Sequence, residues 1–220
     1  MFTCEAMFLL LTTDAGKDEP WVSYREEALR GAVLADLAML DLIAFDEEDE
    51  PLVRVTASNA PPSSALAHGL QVLHERQPVA ASEAVQANWF APAGPIAADL
   101  SERGILRSET TKFLFFSTER FPTVDAEPEA QLRAGLAAVL AAERAPSQKE
   151  LVLLAILDEM SAVRTVLRAE SAPLNGKELT ARLTELRAVD TDHDEVTAAV
   201  AAAIRVMQSL MSAAFIATMP

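Results

Sequence analysis

The segment Glu26-Glu27-Ala28-Leu29-Arg30-Gly31-Ala32-Val33-Leu34-Ala35-Asp36-Leu37-Ala38-Met39-Leu40-Asp41-Leu42 predicts a helix from Glu26 to Leu42. Ala28, Leu29, Ala32, Val33, Ala35, Leu37, Met39 and Leu40 cover nearly every side of it. A helix with no polar face belongs in the interior, so the rest of the chain is expected to pack around it.

Upstream, Met7 to Thr12 is a short apolar run ending in Thr13-Asp14-Ala15-Gly16-Lys17, which reads as a turn or a helix end. Downstream, the acidic turn Asp46-Glu47-Glu48-Asp49-Glu50 leads to a strand, Leu52-Val53-Arg54-Val55. Ser63 to Glu75 has the helical period, with Pro61-Pro62 just before its start. Gln77 to Pro95 reads as broken around Trp89-Phe90. Pro95 opens a helix over Ile96 to Arg103, and Gly104 closes it. Ile105 to Pro122 reads as a hairpin turning around Ser108-Glu109-Thr110, with Lys112 to Phe116 as one strand. Helices are expected over Pro128 to Glu143, Ser147 to Glu170, Asn175 to Leu186 and Asp194 to Met219. Ala145-Pro146-Ser147 is the best hinge, but the helices on both sides are apolar enough to share one core. The expectation is a mainly α single domain over 1–220, with a central helix bundle and a projecting β-hairpin.

Composition narrows the function. Half of the 220 residues are hydrophobic and only 5% aromatic, which favours close-packed helices. The 18 basic residues stand against 33 acidic ones, a net charge of -15. That balance excludes a broad nucleic-acid surface and non-specific attachment to anionic membranes. A local basic pocket remains allowed, because charges beyond about 8 Å are screened at physiological salt. Cys4 is the only cysteine, and Met1 to Leu11 lacks the basic flank of a signal peptide, so a cytoplasmic protein is expected. Val196 to Met219 carries Arg205 and Gln208 mid-span and reads as a core helix, not a membrane span.

No catalytic grouping emerges. His68 and His74 share a helix at a spacing that does not align them, and no Gly-x-Ser-x-Gly elbow or phosphate loop is present. Asp190-Thr191-Asp192-His193-Asp194-Glu195 resembles the start of a calcium loop. Glu195 and Ala201 stand where that loop needs glycine and glutamate. Capping of the last helix by Asp192 or Asp194 explains these acids better. No metal, cofactor or enzymatic activity is expected. A winged-helix reading of Ile96 to Phe116 fails on charge: the helix offers Arg103 against Asp99 and Glu102.

Three segments together resemble the Golgi phosphoprotein 3 family. They are Met7-Phe8-Leu9-Leu10-Leu11 with Gly16 and the helix Ala28 to Leu40, then Asp99-Leu100-Ser101-Glu102-Arg103-Gly104-Ile105-Leu106, then Lys112 to Phe116 with Phe121-Pro122. The resemblance covers roughly Met7 to Leu140 and is looser beyond. It implies a mainly helical domain, oligomerisation through the 105–122 hairpin, and peripheral membrane attachment through phosphatidylinositol 4-phosphate. It places the headgroup-binding tryptophan at Trp21 and the first arginine at Arg30. The family's second arginine pair falls near Phe90 and Ala93, neither of which can hold a phosphate.

Trp21 suits a membrane interface, and a guanidinium such as Arg30 pairs bidentately with phosphate. The plainer alternative has Trp21 packing its loop on the helix and Arg30 pairing with Glu26 or Glu27. Trp89 and Phe90 are possible membrane contacts or core. The leading expectation is a cytoplasmic protein, peripheral at a membrane's cytoplasmic face, that binds phosphoinositide or another anionic phospholipid headgroup. The alternative is a scaffold that keeps the fold, has lost lipid recognition, and meets a protein partner with a basic surface.

Overall fold

The computed structural model describes residues 1–46, 51–56, 59–113 and 116–189. The helix expected over Asp194 to Met219, its capping acids and most of the acidic turn after Asp46 lie outside the described residues.

Two helices make the centre. α1 (Thr3–Leu10) is buried along its whole length, and α2 (Arg25–Met39) is buried continuously from Ala28 to Ala38. Seven further helices surround them among the described residues. These are α3 (Ser64–Arg76), α4 (Ala81–Gln86), α5 (Ala93–Glu102), α6 (Glu127–Leu140), α7 (Gln148–Glu159), α8 (Val163–Val166) and α9 (Gly176–Val189). One hydrophobic cluster runs from Cys4 to Leu186, so α1 to α9 share a single core. The fold is a mainly α single domain, as the all-round apolar α2 required.

Buried acids tie the bundle together. Phe2, at the N-cap of α1, offers no side-chain acceptor, and Asp36 of α2 takes its place. The Asp36 carboxylate accepts from the amides of Thr3 at 2.9 Å and Cys4 at 2.8 Å. Burial raises the Asp36 carboxyl above its ordinary range, although both amides favour its charged form. Asp99 of α5 likewise accepts from the Ser64 and Ala65 amides at the start of α3. Each acid satisfies orphan helix-end donors and fixes one helix against another.

The β structure departs from expectation in detail. β1 (Ile43–Phe45), β2 (Leu52–Val55) and β3 (Val79–Ala80) form an antiparallel sheet in that order. Only β2 was expected; β1 and β3 are too short to show a period. α4 lies in the stretch expected to be irregular. The hairpin exists as β4 (Glu109–Phe113) and β5 (Phe116–Arg120), paired from Glu109↔Arg120 to Phe113↔Phe116. Its reversal therefore falls between 113 and 116, not at Ser108-Glu109-Thr110. The expected helix from Ser147 to Glu170 is broken: α7 ends at Glu159, and Ser161 takes φ 53° before α8.

α7 carries its own pH signature. Ser147 and Glu150 form a capping box, and Arg144 donates to the Glu150 carboxylate at 2.9 Å. That arginine bond, foremost, lowers the Glu150 carboxyl from 4.5 to about 2. A lowered folded value gives stability that is present above the unfolded value and lost as pH falls through the folded one. Glu150→Gln is therefore expected to melt below wild type at neutral pH, with the gap closing between about pH 4.5 and 2. A gap independent of pH in thermal melts would overturn this.

Candidate functional site

The segment joining α1 to α2 is anchored at its start. Thr13 donates its amide to the Lys17 carbonyl at 2.7 Å, and Glu19 donates to Leu11 at 3.0 Å. Gly16 turns the chain at φ 71°, and its carbonyl accepts from the Phe121 amide at 3.2 Å. Thr123 donates to Asp14 at 3.1 Å, so the chain leaving β5 holds this turn in place.

Beyond the anchor the loop projects. Trp21 is 94% exposed and Tyr24 is 42% exposed. Both sit at left-handed φ, 66° and 64°, a conformation that costs a non-glycine residue about 1–3 kcal/mol. A strained loop that holds its tryptophan in solvent does not have that tryptophan as packing. This removes the plainer reading of Trp21.

Under the loop lie two arginines. Arg25 Nε is 3.1 Å from Asp18 Oδ1, Nη1 is 3.2 Å from Glu26 Oε1, and Nη2 donates to Thr12 Oγ1 at 3.2 Å. Its guanidinium covers the Phe8 ring at 4.7 Å. Arg30 is only 4% exposed. Its Nε donates to the Phe90 carbonyl at 2.5 Å and its Nη1 to the Val85 carbonyl at 3.0 Å. Its Nη2 lies 4.0 Å from Glu26 Oε2.

Residues 4–207 match the sequence profile of Golgi phosphoprotein 3. The chain belongs to the Golgi phosphoprotein 3 family. No curated protein matches it.

Against the Golgi phosphoprotein 3 pattern, two expectations need correction. Arg30 is no open surface ligand, because two backbone carbonyls already hold its guanidinium. Phe90 has no exposed surface and is core, stacked on Trp89 with centroids 6.2 Å apart, so it is no membrane contact. Trp89 is half-buried, with the Arg76 guanidinium 4.5 Å over its ring. Yet the structure puts Phe90 directly against Arg30, where the family pattern places a further arginine. What Phe90 offers there is a backbone carbonyl, an acceptor that holds Arg30 and cannot hold a phosphate. Arg103 and Arg107 are engaged with Glu5 and Glu109, at 2.7 and 2.6 Å.

Arg25 was missed from the sequence, where it reads as the solvated start of a helix beside Glu26-Glu27. Its contacts with Thr12 and Phe8, distant in sequence, bring it beside the Trp21 loop and Arg30. Among the described residues no helix is long and apolar enough to cross a membrane.

Proposed function

We propose that this Golgi phosphoprotein 3 family member binds anionic lipid headgroups at a membrane surface, with phosphatidylinositol 4-phosphate as the preferred chemistry. It acts by binding and not by catalysis, and its copies associate through the 105–122 hairpin. The observation that carries the reading is Trp21, 94% exposed on a strained loop four residues before the helix bearing Arg25 and Arg30. Its ring enters the interface while its N–H stays with the headgroups. A net charge of -15 repels a surface that is merely anionic, so attachment depends on a specific headgroup.

The test is co-sedimentation with vesicles carrying phosphatidylinositol 4-phosphate, phosphatidylserine at matched charge, or neither. Wild type is expected to pellet with the first alone, and Trp21→Ala to bind roughly tenfold more weakly. Equal pelleting of wild type and Trp21→Ala would remove the loop from the site.

The acidic charge and the internally bonded Arg30 favour a second reading, a scaffold for a partner with a basic surface. Absence of wild-type binding to every vesicle would favour it.

A further inference from the structure

We infer that Arg25 is the second basic ligand of the headgroup site, and that Glu26 is a built-in anion which only a phosphate monoester displaces. The inference rests on the lipid-binding reading and adds to it a ligand residue and a source of selectivity.

The geometry is that of an anion held between two guanidiniums. Glu26 Oε1 is 3.2 Å from Arg25 Nη1, and Oε2 is 4.0 Å from Arg30 Nη2. The arginine side chains are 14% and 5% exposed, whereas Glu26 is 42% exposed. The cations are thus held and poorly screened, and the anion between them is the solvent-facing member. The Val85 and Phe90 carbonyls hold Nε and Nη1 of Arg30 and leave Nη2 directed at Glu26. Arg25 Nε is buried and makes no well-formed hydrogen bond, although the exposed Asp18 lies 3.1 Å away. Arg25 Nη1 and Arg30 Nη2 thus both approach the Glu26 carboxylate, the position a competing anion would take.

Two carboxylate oxygens and two phosphate oxygens offer a guanidinium nearly the same fork, so a phosphate can take the place Glu26 fills. Charge decides which anion succeeds. A monoanion such as a phosphodiester or a phosphatidylserine headgroup gains no more from the two arginines than Glu26 already supplies without loss of translational freedom. A phosphate monoester carries about -1.5 to -2 near neutral pH and a third acceptor oxygen, so it gains more. Glu26 thereby sets a threshold: phosphomonoester headgroups pass it, and diester or carboxylate headgroups do not.

The experiment measures affinity for soluble glycerophosphoinositol 4-phosphate, alongside pelleting with the phosphatidylinositol 4-phosphate and phosphatidylserine vesicles. Glu26→Gln is expected to tighten binding of the soluble headgroup roughly three- to tenfold and to narrow the preference over phosphatidylserine. Glu143→Gln, which makes the same change in net charge beyond the far end of α6, is expected to change neither. In an Arg25→Gln background the gain from Glu26→Gln is expected to vanish, since the coupling needs both partners. Should Arg25→Gln melt early through loss of Thr12 and Phe8, Glu26→Gln against Glu143→Gln decides alone. Unchanged affinity in Glu26→Gln, or a full gain in folded Arg25→Gln, overturns the inference and leaves the lipid reading standing if vesicles still bind. The expected pattern with the soluble headgroup but no pelleting would keep the site and transfer it to a free phosphate ester. Binding of neither form removes both.

Discussion

Arg30→Met is expected to unfold at a clearly lower urea concentration than wild type, with a stability loss of about 3–5 kcal/mol. The guanidinium is buried and bridges α2 to two carbonyls, Val85 and Phe90, that lie 55 and 60 residues further along the chain. Hydrogen bonds from a charged donor contribute about 1.5–3 kcal/mol each, and removing the donor leaves both carbonyls dry and unpaired. Arg30→Lys is expected to recover little, because one ammonium cannot reproduce a fork that serves two carbonyls. A loss below about 1 kcal/mol for Arg30→Met would mean those bonds do not hold α4 and the segment after it against α2. The result bears on every binding assay. A loss of lipid binding in an Arg30 variant reports the scaffold as well as the ligand, whereas the exposed Trp21 separates the two.

What the sequence showed and what it concealed divide along physical lines. α2 was legible because burial on all sides leaves a helix with no polar stripe to misread, and the Gly104 stop was legible because φ 72° there favours glycine. The hairpin was legible as a region but not in register. Ser108-Glu109-Thr110 carries the polar signal of a turn, while the true reversal interrupts the apolar run from Phe113 to Phe116. The break after α7 has no proline or glycine to announce it. The site divides in the same way. The family resemblance pointed to Trp21, and the structure leaves that residue exposed. The burial of Arg30 could not be read, because its partners are backbone carbonyls that any residues at 85 and 90 would supply. Asp36 and Asp99 were hidden for the same reason: each accepts from amides 32 to 35 residues away in sequence.

Gly16→Ala is expected to lower the melting temperature by roughly 6–12 °C, equivalent to about 3 kcal/mol for a domain of this size. Two effects add. At φ 71° any L side chain is strained, and a Cβ there would stand 2.4 Å from the Phe121 carbonyl carbon and 2.4 Å from the Pro122 nitrogen. Both atoms are backbone, so no rotamer change relieves the clash; the turn must leave the chain that follows β5. Gly104→Ala separates the terms, because Gly104 has nearly the same φ, 72°, with nothing within 4 Å of its Cβ. It is expected to cost only about 1 kcal/mol. The difference between the two variants measures the close approach at Phe121, the contact that anchors the turn leading into the Trp21 loop. Vesicle binding should fall in Gly16→Ala although Trp21 is intact, and should stay at the wild-type level in Gly104→Ala. Equal stability losses in the two variants would mean that the turn can move off Phe121 at little cost, and that the loop's position does not come from the hairpin base.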